Sequence, residues 1–154
     1  MLFIHSWLRW IVLLLGALAV GRALNGVRTR RPFTPIDDAS ARRFTTMLDI
    51  QLLAGLVLYL WASPFTTEAF RDMAGTMRNA PLRFFVVEHL VGMIVAIALA
   101  HIGRARLKKA ADSAARHRTA LIFFGISLLV MLLSIPWPAL PAGRPLFRGI
   151  ESTQ

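Results

Sequence analysis

Residues 82–102 read LRFFVVEHLVGMIVAIALAHI, and their only ionisable side chains are Arg83, Glu88, His89 and His101. As an α-helix this stretch is about 31 Å long at 1.5 Å per residue. That matches the hydrocarbon core of a bilayer, roughly 30 Å. Three more runs have the same character: Phe3–Val20, Phe44–Ala62 and Ala120–Trp137. With flanking residues the four spans are expected at about 3–22, 44–63, 82–102 and 119–137. The chain has 154 residues and is 56% hydrophobic. One soluble core cannot bury four such runs, so the composition points to a polytopic membrane protein. Short links between the spans predict an all-α, up-down four-helix bundle forming one domain over residues 1–154.

The links carry their own signals. Thr34-Pro35 followed by Asp37-Asp38 reads as a helix start: a cap, proline at the first position, and acids in the first turn. Pro64 should stop the second span. Residues 66–79 place Phe70, Met73, Ala74 and Met77 at helical spacing, which predicts one amphipathic helix on the outer surface. The basic stretch Gly103–Arg118 is expected to continue the third span as helix. The tail, 139–154, holds Pro141 and Pro145 and reads as extended. Arg9 interrupts the first run and no basic segment precedes it, so it reads as a retained span rather than a cleaved signal.

Lys and Arg number 18 against 8 Asp and Glu. The first-to-second link holds Arg22, Arg28, Arg30, Arg31, Arg42 and Arg43. The third-to-fourth holds Arg104, Arg106, Lys108, Lys109, Arg116 and Arg118. Only Arg71, Arg78, Arg83, Arg144 and Arg148 fall on the other side. Twelve against five places both termini outside and the basic links in the cytoplasm, beside anionic lipid. The charge therefore reads as topology in a bilayer, with no nucleic-acid partner. The chain has no cysteine, which excludes disulfides, thiolate metal sites and c-type haem attachment.

Polar groups inside the spans mark the place to look for function, because charge in hydrocarbon is costly unless paired, liganded or wet. Counting residues from each midpoint puts Arg9 and Glu88 at matching depth, which predicts an Arg9–Glu88 ion pair. His5 lies one turn from Arg9, and His5 and His89 share the outer half of the membrane. Two imidazoles from facing helices can hold a haem b iron, with Arg9 or Arg83 pairing to its propionates. They can equally hold another metal, meet a quinone, or serve packing alone. Asp49 and His101 belong to the inner half, where a hydrogen bond would neutralise both and could pass protons. Gln51 lies close to this pair in sequence, and His117, among basic residues, reads as exposed. Met73 and Met77 could collect metal or contact lipid. No nucleophile–base set or phosphate loop appears, which disfavours independent catalysis.

The segments His5-Ser6-Trp7-Leu8-Arg9-Trp10, Ile50-Gln51-Leu52-Leu53-Ala54-Gly55-Leu56-Val57-Leu58-Tyr59, Val87-Glu88-His89 and Ile135-Pro136-Trp137-Pro138 resemble a family of small bacterial four-helix membrane proteins, often labelled cytochrome b-like. The resemblance covers nearly the whole chain. It implies a multi-pass protein of the bacterial inner membrane, with His5, Arg9, Glu88 and His89 in the matching motifs. The chain departs from the pattern at Asp49, where many relatives carry histidine, and at Leu90, where proline often follows the Glu-His pair.

The leading expectation is a haem b protein with an electron-transfer or redox-anchor role, working with a larger membrane redox complex. The alternatives are a non-catalytic accessory or assembly subunit and a metal or proton carrier.

Overall fold

The computed structural model describes residues 2–147. Four helices are long and apolar enough to cross a membrane: Leu2–Thr29, Pro35–Trp61, Ala80–Lys109 and Ser113–Leu133. We label α1 Leu2–Thr29 and α2 Pro35–Val57, the latter continued by a π-helical segment at Leu58–Ala62. Two short helices follow, α3 Pro64–Arg71 and α4 Met73–Arg78. One turn of helix, α5 Ala80–Arg83, passes through a second π-helical segment, Phe84–Glu88, into α6 His89–Lys109. The last helix is α7, Ser113–Leu133. Among the described residues there is no strand.

The long helices pack in the ring order α1–α2–α6–α7, so α1 faces α6 and α2 faces α7 across the bundle. A stripe of small residues on α1, Gly16, Ala19, Ala23 and Gly26, is buried. Small residues let neighbours come close. At Gly16 a Cβ would stand 2.9 Å from the Phe44 ring. Phe44 and Phe124 meet edge to face in the centre, with centroids 5.6 Å apart. Val12, Leu48, Ala96 and Ala100 complete the same core. Leu14, Leu53, Trp61, Val91, Leu129 and Leu133 point outward from the four long helices. Water tolerates such a surface poorly, whereas lipid accepts it.

The capping signal at Thr34-Pro35 operates as read. The Asp37 carboxylate accepts from Thr34 N at 2.9 Å and Thr34 Oγ1 at 2.7 Å. It also accepts from Arg31 at 2.7 Å and Arg22 at 2.9 Å, although its own side chain is only 3% exposed. The Asp37 contact holds the Arg31 guanidinium above its ordinary value. Next to it, Asp38 takes a two-pronged contact from Arg104 at 2.6 and 3.0 Å. These bonds tie the basic end of α1, α2 and α6 together.

Three local expectations are corrected. The outer segment is two helices rather than one, because Asp72 accepts from Gly75 N at 2.9 Å and starts α4 afresh. Helix does not run through Gly103–Arg118: α6 stops at Lys109, and Asp112 caps α7 by accepting from Ala115 N at 2.7 Å. The tail is not extended over 139–147. It turns back, with Leu140 N on Trp137 O at 2.9 Å and Arg144 N on Pro136 O at 3.1 Å. The rest of the expected tail lies outside the described residues.

Candidate functional site

The end of the bundle away from the basic links encloses a cavity of about 180 Å³, walled by α1, α2, α6, α7 and the tail. Most of its lining is aliphatic, from Val12, Leu48, Leu52, Leu56, Leu90, Ile97 and Met131. A few polar groups converge on it: His5 and Arg9 from α1, Gln51 from α2, Tyr59 from the first π-helical segment, His89 from α6, and Arg144 from the tail. An apolar cavity with a small set of convergent polar groups is the usual form of a small-molecule site.

His5 is held by α2. The Gln51 side-chain amide donates to the His5 carbonyl at 3.1 Å and stands 3.3 Å from its Nε2. One turn later Gly55 leaves room for the ring, since a Cβ there would lie 3.2 Å from His5 Cε1. His5 Nδ1 is buried and has no partner among the described residues. His89 is held by the end of α7. Its Nδ1 lies 2.8 Å from the Ser134 carbonyl oxygen. A carbonyl only accepts, so Nδ1 carries the proton and Nε2 keeps its lone pair. The two imidazoles come from helices that face each other across the bundle. Their centroids are 6.2 Å apart and their planes 76° apart.

The expected Arg9–Glu88 pair is absent among the described residues. Arg9 Nη2 donates to the Leu146 carbonyl at 2.8 Å, while Glu88 accepts from Arg83 Nε at 2.8 Å. Matching depth for Arg9 and Glu88 presumes α-helix throughout. In a π-helical turn the partners along the chain are five apart rather than four. The segment Phe84–Glu88 thereby brings Arg83 and Glu88 together on the outer face of the bundle. Arg83, expected to meet a cofactor, is engaged by Glu88 and the Met77 carbonyl and does not line the cavity. Arg9 and Glu88 therefore belong to separate networks. The stability losses of Arg9→Met and Glu88→Gln are expected to add to within about 0.5 kcal/mol. A double variant more stable than that sum, in thermal unfolding in detergent, would restore the pair.

Asp49 and His101 are joined, Nε2 to Oδ1 at 2.7 Å, but on the outside of the bundle and away from the cavity. Gln51, grouped with them by proximity in sequence, faces the other way toward His5. Two residues along a helix turn the side chain by about 200° at 3.6 residues per turn. The spacing Gln51, Gly55, Tyr59, one residue per turn on one face, was the signal available for this wall. Tyr59, Ser134 and Arg144 were missed. Tyr59 Oη donates to the Val86 carbonyl at 3.1 Å, linking the two π-helical segments beside the cavity.

His117 is corrected from exposed to fully buried. Its ring packs 5.1 Å from Phe33 and covers Gly26, and neither nitrogen has a partner among the described residues. A void of about 10 Å³ between it, Arg22 and Asp37 has roughly the size of one water molecule. Met73 and Met77 are exposed on α4. No group of three or more metal-ligating side chains forms among the described residues. No family model, curated protein or solved structure matches the chain.

Proposed function

We propose that the chain is a bacterial inner-membrane protein with both termini on the outer side, which binds haem b between His5 and His89 and serves electron transfer. The observation that carries this reading is the separation of the two imidazoles. Two rings whose nitrogens sit about 2 Å from one iron have centres roughly 6 Å apart. The centroids of His5 and His89 are 6.2 Å apart.

The surrounding residues fit such a group in their chemistry. The Ser134 carbonyl orients His89 and raises the basicity of its free nitrogen, the usual outer-shell partner of a ligating histidine. His5 carries an orphaned buried nitrogen, and can exchange its Gln51 contact for a stronger ligand. Arg9 and Arg144 line the cavity and offer positive charge to propionates. The enclosed 180 Å³ is below the 300–1,000 Å³ of typical small-molecule pockets. A haem bound there supplies a one-electron couple. The chain's own part is to ligate through two imidazoles, exclude water with aliphatic walls, and set charge at one end.

The test is a visible spectrum of the protein purified after expression with added haem. A Soret band that shifts on reduction is expected, and it should be lost in His89→Ala and weakened or lost in His5→Ala. A colourless wild-type protein, or a band untouched by both substitutions, overturns the reading. Orientation has its own test, because the chain contains no cysteine. Cysteines introduced at Thr29 or Ala114 should be unreactive to impermeant thiol reagents in intact cells. Labelling of either from outside reverses the topology.

A further inference from the structure

The Asp49–His101 pair lies across the seam between α2 and α6, and each side chain is about half exposed, 48% and 47%. Asp49 sits about 6 Å from the middle of the 44–62 apolar run at 1.5 Å per residue. Around the pair, Ile50, Leu53, Ile94, Val95 and Ile102 all point outward. This is the face that lipid tails would touch, and an ionisable pair facing lipid is expensive. The other three interfaces of the bundle do not carry such a pair on their outer surface among the described residues.

We propose that a second copy of the chain covers this face, through a ring made of two Asp49–His101 pairs related by a two-fold axis normal to the membrane.

In hydrocarbon the pair must be neutral overall, so one proton is shared between Asp49 Oδ1 and His101 Nε2. Whichever atom holds that proton, His101 Nδ1 remains a donor and Asp49 Oδ2 an acceptor. Neither atom has a partner among the described residues. The pair thus presents one unused donor and one unused acceptor to the same side.

Two copies in one membrane with the same orientation are related by a rotation about the membrane normal, which preserves depth. A two-fold rotation reverses direction along the surface, so α2 of one copy meets α6 of the other. Asp49 then faces His101 of its mate, and His101 faces Asp49 of its mate. The unused donor of each pair meets the unused acceptor of the other, as an isologous interface requires. The flanking aliphatic side chains supply the packing around this polar centre.

The absence of cysteine makes the test clean. Leu53→Cys, one turn from Asp49, is compared with Leu129→Cys on α7, which is exposed to 55% on another face. Both full-length variants are treated in native membranes with a bis-maleimide reaching about 12 Å, because the two α2 helices lie across the diagonal of the interface. Leu53→Cys should give a product of twice 17.1 kDa at least tenfold more than Leu129→Cys. The same cross-link should fall at least tenfold when Asp49→Leu and His101→Leu are added, while light scattering in mild detergent changes from dimer to monomer. Equal cross-linking at both positions overturns the proposal. So does a Leu53→Cys protein that stays monomeric, links to a different protein, or cross-links undiminished without the polar pair. A double-leucine variant that fails to fold does not blunt the test, since the Leu53 and Leu129 comparison decides alone. None of these readouts depends on a bound haem.

Discussion

One methyl group added at Gly26 is expected to lower the unfolding temperature by about 10 °C and to cut the yield of folded protein. The His117 ring lies over Gly26, and a Cβ there would fall inside contact distance of His117 Cε1, Nδ1 and Cγ. The ring has little room to retreat, because it is fully buried, packs on Phe33 and has beside it a void of only about 10 Å³. Overpacking of this kind typically costs 1–3 kcal/mol, and at the top of that range a chain of this size loses roughly 6–12 °C. Gly21 is the control, since a Cβ there meets nothing within 4 Å. Gly21→Ala should be neutral or stabilise by up to about 1 kcal/mol through helix propensity. Adding His117→Ala to Gly26→Ala should recover most of the loss. Strict additivity of the two losses would show that the ring is not what occupies the space.

Asp37→Ala is the second large effect, expected at about 3 kcal/mol. The carboxylate accepts from Arg22, from both terminal nitrogens of Arg31, and from the backbone and hydroxyl of Thr34. Removing it unpairs two guanidinium groups and uncaps α2 in one step. Breaking a buried pair costs 3–5 kcal/mol and losing a cap about 1. The arginines are 34% and 24% exposed, so they reach water and return part of that sum. Asp37→Asn keeps the cap but not the charge, and should fall between wild type and Asp37→Ala. Thermal unfolding followed by tryptophan fluorescence checks the order. Equal stability of Asp37→Ala and wild type would remove the cluster from any structural account.

The four helices were legible because apolar runs of bilayer length need no tertiary information to recognise. The Thr34-Pro35 start was legible for a similar reason: its cap, proline and acids act within one turn. Asp49 and His101 were found by depth alone, and depth is nearly all that a membrane helix reveals without its rotation. Rotation is where the reading failed. Gln51 was grouped with Asp49 although it points away, and Arg9 was matched to Glu88 although Glu88 faces outward. The second error has a definite source in Phe84–Glu88, where a π-helical segment changes the angular phase between Arg83 and Glu88. Nothing in the residue types announces that segment. His117 was misplaced because its neighbours Arg116 and Arg118 are cationic, yet Gly26 opens a slot that only the folded bundle displays.

Beside the cavity, the start of α1 meets the tail that follows α7. Arg9 and Trp10 both donate to the carbonyl of Leu146, which is 137 and 136 residues away. Phe147 stacks on Trp10 with centroids 5.4 Å apart. During synthesis the wall that bears His5 is made before the segment that carries Leu146. All four long helices are made before Leu146 can reach Trp10, so the cavity lacks this contact until then. Closing so long a loop carries an entropic cost, met by two hydrogen bonds and aromatic contacts at Leu146 and Phe147. Whatever fills the cavity from that side has its opportunity before Leu146 and Phe147 settle against Trp10.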